Sequence, residues 1–139
     1  MIQLVDDQLL SRLLRGLAPP KRRAEVYTTG YWYVRLCQAV LGASDRTGAL
    51  SGPFAALPPE ARDRATRGLL ELPDSIGLLS LRELGPLIGQ LRQRYELNIL
   101  GVEALAAATR LGAQVFLSAS SPRLEAALRA EGHRVTVTR

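Results

Sequence analysis

The stretch IQLVDDQLL, residues 2–10, constrains the fold more than any other part of the chain. It begins as a short apolar run, reaches two adjacent carboxylates at Asp6 and Asp7, and then becomes amphipathic. A short apolar run that opens a chain of alternating helical and β patterns is typical of a buried parallel strand. Acids that follow such a strand lie at the edge where α/β sheets bind ligands. The sequence therefore predicts a ligand site at Asp6, whose chemistry depends on the other residues that reach this edge.

The length and composition fit one compact domain. A chain of 139 residues can bury one hydrophobic core, and 47% apolar with 22% charged residues is the balance of a folded chain. We find no internal repeat or low-complexity tract, so we predict a single domain over residues 1–139. With one cysteine, Cys37, no signal-peptide pattern and no long apolar span, we expect a cytoplasmic protein without membrane contact.

The net charge of +5 is compatible with binding to nucleic acid. Arginine is strongly favoured over lysine beside abundant Ala, Leu and Gly, which is more typical of a coding bias than of selection for RNA binding. The turn formed by Lys21, Arg22 and Arg23 is a weak candidate for a phosphate contact, because three charges in a loop are usually only solvated.

Strand and helix patterns alternate along the rest of the chain. Short β-prone runs occur at 25–29, 114–117 and 134–138, the last as an edge strand, and a run that is either a strand or an extended connection occurs at 76–81. Helical spacing of apolar residues occurs at 9–17, 31–41, 60–70, 82–95, 97–111 and 122–131, and a loop is predicted over 42–59. Asn98 is a possible N-cap of the helix that Gly112 follows, and Ser121 and Pro122 are predicted to cap and open the last helix. This alternation predicts a three-layer α/β/α sandwich with a mostly parallel central sheet.

Three segments together resemble a PIN domain, the small nuclease fold of VapC-type toxins from bacterial toxin–antitoxin pairs. LVDDQLL at 4–10 resembles the opening strand, which ends in an acid and runs into a helix. GVEALAAATRLGAQVFLSAS at 101–120 resembles the acid-bearing helix and the strand after it, and PRLEAALRAEGHRV at 122–135 resembles the closing helix, turn and strand. The resemblance covers nearly the whole chain.

The resemblance implies a cluster of acids at the carboxyl ends of the strands. In PIN nucleases three or four acids hold Mg²⁺ or Mn²⁺, which prefers oxygen ligands and activates a water. Asp6 matches the first acid and Glu103 the third. Arg35 stands at the second position, and Ser120, two residues after Ser118, stands at the fourth. Without the resemblance, Asp6 and Glu103 are interpreted as capping or ion-pairing residues.

The replacements at two of four positions suggest a degraded nuclease site. In this reading Asp6 and Glu103 are remnant catalytic acids, Arg35 lies between them in place of the metal, and no cofactor is expected. The protein then acts by binding RNA or a protein partner. The alternative is an active Mg²⁺- or Mn²⁺-dependent ribonuclease that holds its metal with Asp6, Asp7 and Glu103, with a hydroxyl from Ser118 or Ser120.

The resemblance also implies an antitoxin-like partner and a homodimer. The aromatic cluster Tyr31–Tyr33 is read as core or subunit interface rather than as a platform for bases. A third possibility is an unrelated nucleotide-binding α/β domain, but neither G-x-G-x-x-G nor G-x-x-x-x-G-K occurs. The lone His133 and lone Cys37 also give no zinc set and no nucleophile–base pair.

Overall fold

The computed structural model describes residues 1–42 and 48–138, in which strands and helices alternate. The strands are β1 (Ile2–Val5), β2 (Glu25–Thr28), β3 (Ile76–Leu78), β4 (Gln114–Leu117) and β5 (Val135–Val137). The helices are α1 (Asp7–Leu14), α2 (Gly30–Leu41), α3 (Gly52–Ala55), α4 (Pro59–Leu70), α5 (Leu81–Arg92), α6 (Ile99–Leu111) and α7 (Pro122–Ala130). The ambiguous run at 76–81 therefore begins as a short strand. Residues 43–47 of the predicted loop lie outside the described residues.

The strands form one parallel sheet in the order β3-β2-β1-β4-β5. The predicted α/β class is confirmed, and the arrangement is consistent with the three-layer sandwich. Because β1 pairs with β2 on one side and β4 on the other, the chain order reverses between β1 and β4. Sheets of this kind bind ligands at such a switch point, beyond the carboxyl ends of the strands. We call this end of the sheet the carboxyl edge and the opposite end the amino edge.

Within residues 1–42 and 48–138, three hydrophobic clusters hold the helices against the sheet. The smallest packs Val5 and Phe116 of the sheet against Leu9 of α1. The other two are larger. The largest one joins β1 and β4 to α5, α6 and α7, and the buried alanines of α6, from Ala104 to Ala108, let this helix pack close to its neighbours. The second lies between α1, α2 and α4 and centres on Leu10, Leu36 and Leu69. Among the helices of the described residues, none is long and apolar enough to cross a bilayer.

Local capping signals position α6 and α7. The Asn98 Oδ1 accepts the amide of Gly101 at 2.8 Å, and Gly112 ends α6 with a left-handed φ of +64°, so both predicted signals are confirmed. Pro122 opens α7 as predicted, but the Ser121 side chain does not cap it. Instead the carboxylate of Glu125 accepts the Ser121 amide at 2.7 Å.

A buried glutamine in β1 fixes the turn that carries the basic residues. The Gln3 side chain is fully buried, and its Nε2 donates to the carbonyls of Lys21 at 2.6 Å and Ala24 at 3.1 Å. Its Oε1 accepts the Lys21 amide at 3.0 Å. One side chain thus satisfies three backbone groups of residues 21–24, which we call the basic turn, and holds that turn against the sheet.

We expect Gln3→Met to lower the free energy of unfolding by about 1–3 kcal/mol, because it leaves these backbone groups without their partner. Urea denaturation measures the change. Gln114, the β4 residue in register with Gln3, is the matched control: its side chain makes one long, exposed bond to Thr136, so Gln114→Met should cost much less. Equal losses in both variants would contradict the role assigned to Gln3.

Candidate functional site

A polar cleft of about 490 Å³ opens at the carboxyl edge of the sheet. It lies beyond the ends of β1 and β4 and is bounded by α2 and by the starts of α6 and α7. Its polar lining combines two acids, one arginine, two amide side chains and four serines: Asp6, Asp7, Arg35, Gln8, Asn98, Ser51, Ser118, Ser120 and Ser121. The cleft therefore occupies the switch point of the sheet, where this class of fold binds ligands.

Asp6 is buried, and both oxygens of its carboxylate accept hydrogen bonds from neighbouring groups of the chain. Its Oδ1 accepts the Leu9 amide at 3.0 Å and caps α1. Its Oδ2 accepts two hydrogen bonds from Ser118, one from the amide at 2.7 Å and one from the hydroxyl at 2.6 Å. The carboxylate thus ties the end of β1 to the end of β4, and its charge is offset by two amides and a hydroxyl.

Asp7 pairs with Arg35 across the cleft. Its Oδ2 lies 3.2 Å from the Arg35 Nη1, and the side chains are 9% and 54% exposed respectively. The two groups are within ion-pair distance but are not aligned for a hydrogen bond, and this oxygen has no hydrogen-bond partner among the described residues. Burial raises the pKa of Asp7, the charge of Asp6 raises it further, and Arg35 opposes both effects.

Glu103 is fully buried and does not line the cleft. Its Oε1 accepts the Tyr31 amide at 2.8 Å, and its Oε2 accepts the Gly30 amide at 3.2 Å. These amides form the first turn of α2, where the helix dipole favours a negative charge. A Cβ on Gly30 would come within 3.1 Å of the Glu103 carboxylate, so the glycine leaves room for this contact.

The two predicted hydroxyls have different partners. Ser118 donates to Asp6. The exposed Ser120 donates its hydroxyl to the Glu125 Oε2 at 3.0 Å, at the start of α7. Arg129 pairs with the same glutamate at 3.7 Å, one turn along the helix. Ser120 therefore belongs to the first turn of α7 as much as to the cleft.

The structure brings together most, but not all, of the residues that sequence reasoning selected. Five of them line one cleft: Asp6, Asp7, Arg35, Ser118 and Ser120. On α6 the cleft is lined by Gly101 and not by Glu103, and Arg35 makes its ion pair with Asp7 rather than with Asp6 or Glu103. Gly101 and Glu103 are two residues apart and lie on different sides of α6. A single sequence does not show which of these two sides faces the cleft.

The basic turn lies away from the cleft. Lys21, Arg22 and Arg23 precede β2, so they lie at the amino edge, whereas the cleft follows β1 and β4 at the carboxyl edge. One small ligand cannot contact both. In the aromatic cluster, Trp32 is buried and the Tyr33 hydroxyl donates to the Leu69 carbonyl at 2.6 Å, so both residues pack as core.

The acids do not form a set that fits a divalent cation. In the described ranges no three His, Cys, Asp or Glu residues come together as a metal-binding group. Both oxygens of Asp6 and both oxygens of Glu103 already accept hydrogen bonds from the chain. Only the Asp7 Oδ2 lacks such a bond, and Arg35 faces it. Magnesium and manganese need several oxygens at one point, which this arrangement does not supply.

The fold and the cleft define the class of this protein as a parallel α/β domain with a polar cleft at its switch point. No protein-family model matches the chain, and a search of curated proteins finds no significant relative.

We expect Glu103→Gln to lower the free energy of unfolding by about 1.5–3 kcal/mol, because a neutral amide replaces charge-assisted bonds to two helix amides. Chemical denaturation at neutral pH measures the loss. Glu96, an exposed acid, provides the control Glu96→Gln. A Glu103 variant as stable as this control would show that the carboxylate is not needed to hold α2.

The raised pKa of Asp7 predicts a pH-dependent stability. The folded protein holds the Asp7 proton more tightly than the unfolded chain, whose pKa is near 3.8. Stability from this group is therefore present in acid and is lost as pH rises from about 3.8 through the folded pKa. Asp7→Asn does not titrate, so its free energy of unfolding relative to the wild type should rise across this range.

Denaturation curves at a series of pH values measure this difference, with the exposed-site variant Asp63→Asn as the control for loss of one carboxylate. If the wild type instead gains stability over Asp7→Asn as pH rises, attraction to Arg35 outweighs burial and the prediction is wrong.

Proposed function

We propose that this chain is a PIN-like protein whose metal-nuclease site is degraded and that it acts by binding RNA or a protein partner. The observation that carries the proposal is the engagement of each acid by the chain itself. Asp6 is bonded to Ser118 and the start of α1, Glu103 to the start of α2, and Asp7 is paired with Arg35. Each negative charge that a metal would offset in a PIN nuclease is offset here by an internal donor.

Binding through the cleft is supported by its surface. Arg35 is half exposed above a polar floor of serines, so a phosphate or carboxylate of a ligand can reach its guanidinium without any change in the backbone. The proposal includes an antitoxin-like protein or RNA as the partner and a cytoplasmic location, which a single half-buried cysteine, Cys37, supports. A homodimer through α2 is supported by its exposed apolar side chains, Val34 and Leu41.

The second candidate is an active Mg²⁺- or Mn²⁺-dependent ribonuclease, the toxin of a toxin–antitoxin pair. It is favoured by one observation: the Asp7 Oδ2 has no hydrogen bond among the described residues and faces a half-exposed arginine. An ion pair with one exposed partner contributes little to stability, so it can open at small cost. Glu103 would also have to leave the first turn of α2 to join Asp6 and Asp7, and we rank this candidate second for that reason.

Calorimetric titration with Mn²⁺ separates the two candidates. We expect no saturable binding by the wild type. Arg35→Glu removes the cation and places a second carboxylate beside the Asp7 Oδ2, which carries no hydrogen bond, so we expect this variant to gain saturable binding. Arg82→Glu makes the same change of charge at an exposed position on α5 and should gain none.

Tight binding of Mn²⁺ by the wild type, with cleavage of single-stranded RNA, would overturn the proposal in favour of the ribonuclease. Failure of Arg35→Glu to bind Mn²⁺ would show that Arg35 is not what excludes the metal. A labelled single-stranded RNA, titrated in EDTA against the wild type and Arg35→Ala, then tests whether the cleft binds RNA.

A further inference from the structure

A second cavity, an apolar groove, lies at the amino edge of the sheet. It has a volume of about 490 Å³ and is formed by the end of α1, the basic turn, the start of β2, and the segment from α4 to β3. Its apolar lining consists of aliphatic and proline side chains: Leu13, Leu14, Pro19, Val26, Pro73 and Ile76. It shares no residue with the cleft at the carboxyl edge.

Two arginines flank this apolar groove. Arg22 of the basic turn and Arg64 of α4 line it, and both are exposed. Neither makes an ion pair with another residue in the ranges 1–42 and 48–138. Glu25 is the one acid in the lining, and Lys21 and Arg23 stand beside Arg22 in the same turn. With Asp74, which lies between the lining residues Pro73 and Ser75, four basic and two acidic side chains lie in or beside the groove, so its net charge is positive.

The groove is also held in a fixed shape. The bonds from Gln3 to residues 21–24 fix the backbone of the basic turn. On the opposite side Gly68 packs so close to Leu14 that a Cβ there would come within 3.3 Å of the Leu14 Cδ2. A binding surface that is ordered before its ligand arrives loses less entropy on binding.

We propose that the apolar groove binds an acidic, leucine-rich segment of a protein partner. The aliphatic lining fits branched apolar side chains, and the arginines fit carboxylates on either side of them. Recognition of an amphipathic segment in an apolar groove is a common mode of peptide binding.

The lining favours a peptide over RNA. Proteins that bind single-stranded RNA combine positive charge with aromatic side chains on which bases stack. This groove has the positive charge but no aromatic side chain among the residues that line it. RNA would leave its aliphatic floor uncovered, whereas leucine side chains would cover it.

This inference goes beyond the proposed function, because the groove and the cleft lie at opposite edges of the sheet. A protein with an active nuclease site at the carboxyl edge would present the same groove. Failure of the groove to bind a peptide would therefore leave the proposal for the cleft intact, and the Mn²⁺ titration does not bear on the groove.

The test uses a labelled peptide with glutamates on one helical face and leucines on the other, titrated with the full chain by fluorescence anisotropy. We expect saturable binding. The double variant Arg22→Glu/Arg64→Glu should weaken it about tenfold or more. Ser75→Trp, which places a large side chain at an exposed position in the lining, should weaken it without any change of charge. Arg82→Glu/Arg134→Glu is the matched control for net charge and should bind like the wild type.

Three further probes define the outcomes: the same peptide with serine for leucine, the same peptide with lysine for glutamate, and a single-stranded oligouridine. Weak binding of all three supports the proposal. Equal binding of the serine peptide would show that the apolar lining does not recognise leucine and would overturn the proposal. Binding of oligouridine that the groove variants abolish would assign the surface to RNA. No binding of the leucine–glutamate peptide up to about 1 mM also overturns the proposal. Circular dichroism of each variant checks that it is folded.

Discussion

The carboxyl edge of this fold depends on the hydrogen bonds that the Asp6 carboxylate accepts. It joins the end of β1, the first turn of α1 and the end of β4, through bonds to Leu9 and Ser118. These segments meet at the switch point, where neighbouring connections leave the sheet in opposite directions, and Asp6 holds them together in the lining of the cleft that opens there. A carboxylate that holds such segments together is already surrounded by donors, so its oxygens are poorly disposed to bind a metal.

The same reasoning explains the other two acids. Clustered carboxylates repel each other, and a nearby positive charge or set of donors offsets this repulsion. Glu103 has the first amides of α2, Asp7 has Arg35, and Asp6 has Ser118. In a metal nuclease one divalent ion serves this purpose for all the acids at once. Here each acid has a separate partner, so the acids stay apart instead of converging on one point.

The sequence predicts the fold better than it predicts the contacts of the site. The fold depends on patterns among neighbouring residues, whereas the contacts of the site join residues that are far apart in the chain. The alternation of β and helical patterns, the Asn98 cap and the left-handed Gly112 are local signals, and each is found where it was predicted. The bond from Glu103 to Tyr31 spans 72 residues, and it requires the exact rotation of α6 about its axis. One sequence does not give that rotation.

Gln3 gives a partial signal, since a polar side chain within the buried run IQLV needs buried hydrogen-bond partners. The identity of those partners in the basic turn follows only from the structure.

The basic residues at the amino edge of the sheet have two origins: the last turns of helices and the basic turn. In α1 an acid, Asp7, stands in the first turn and a basic residue, Arg12, in the last turn, as the helix dipole favours. A helix that follows a strand of a parallel sheet runs back towards the amino edge, so this preference alone makes that edge more basic. The basic turn is not part of a helix, and the dipole does not account for its three consecutive cations. Their position beside an aliphatic groove, on a turn that a buried glutamine fixes, is the reason why we propose a ligand for this surface.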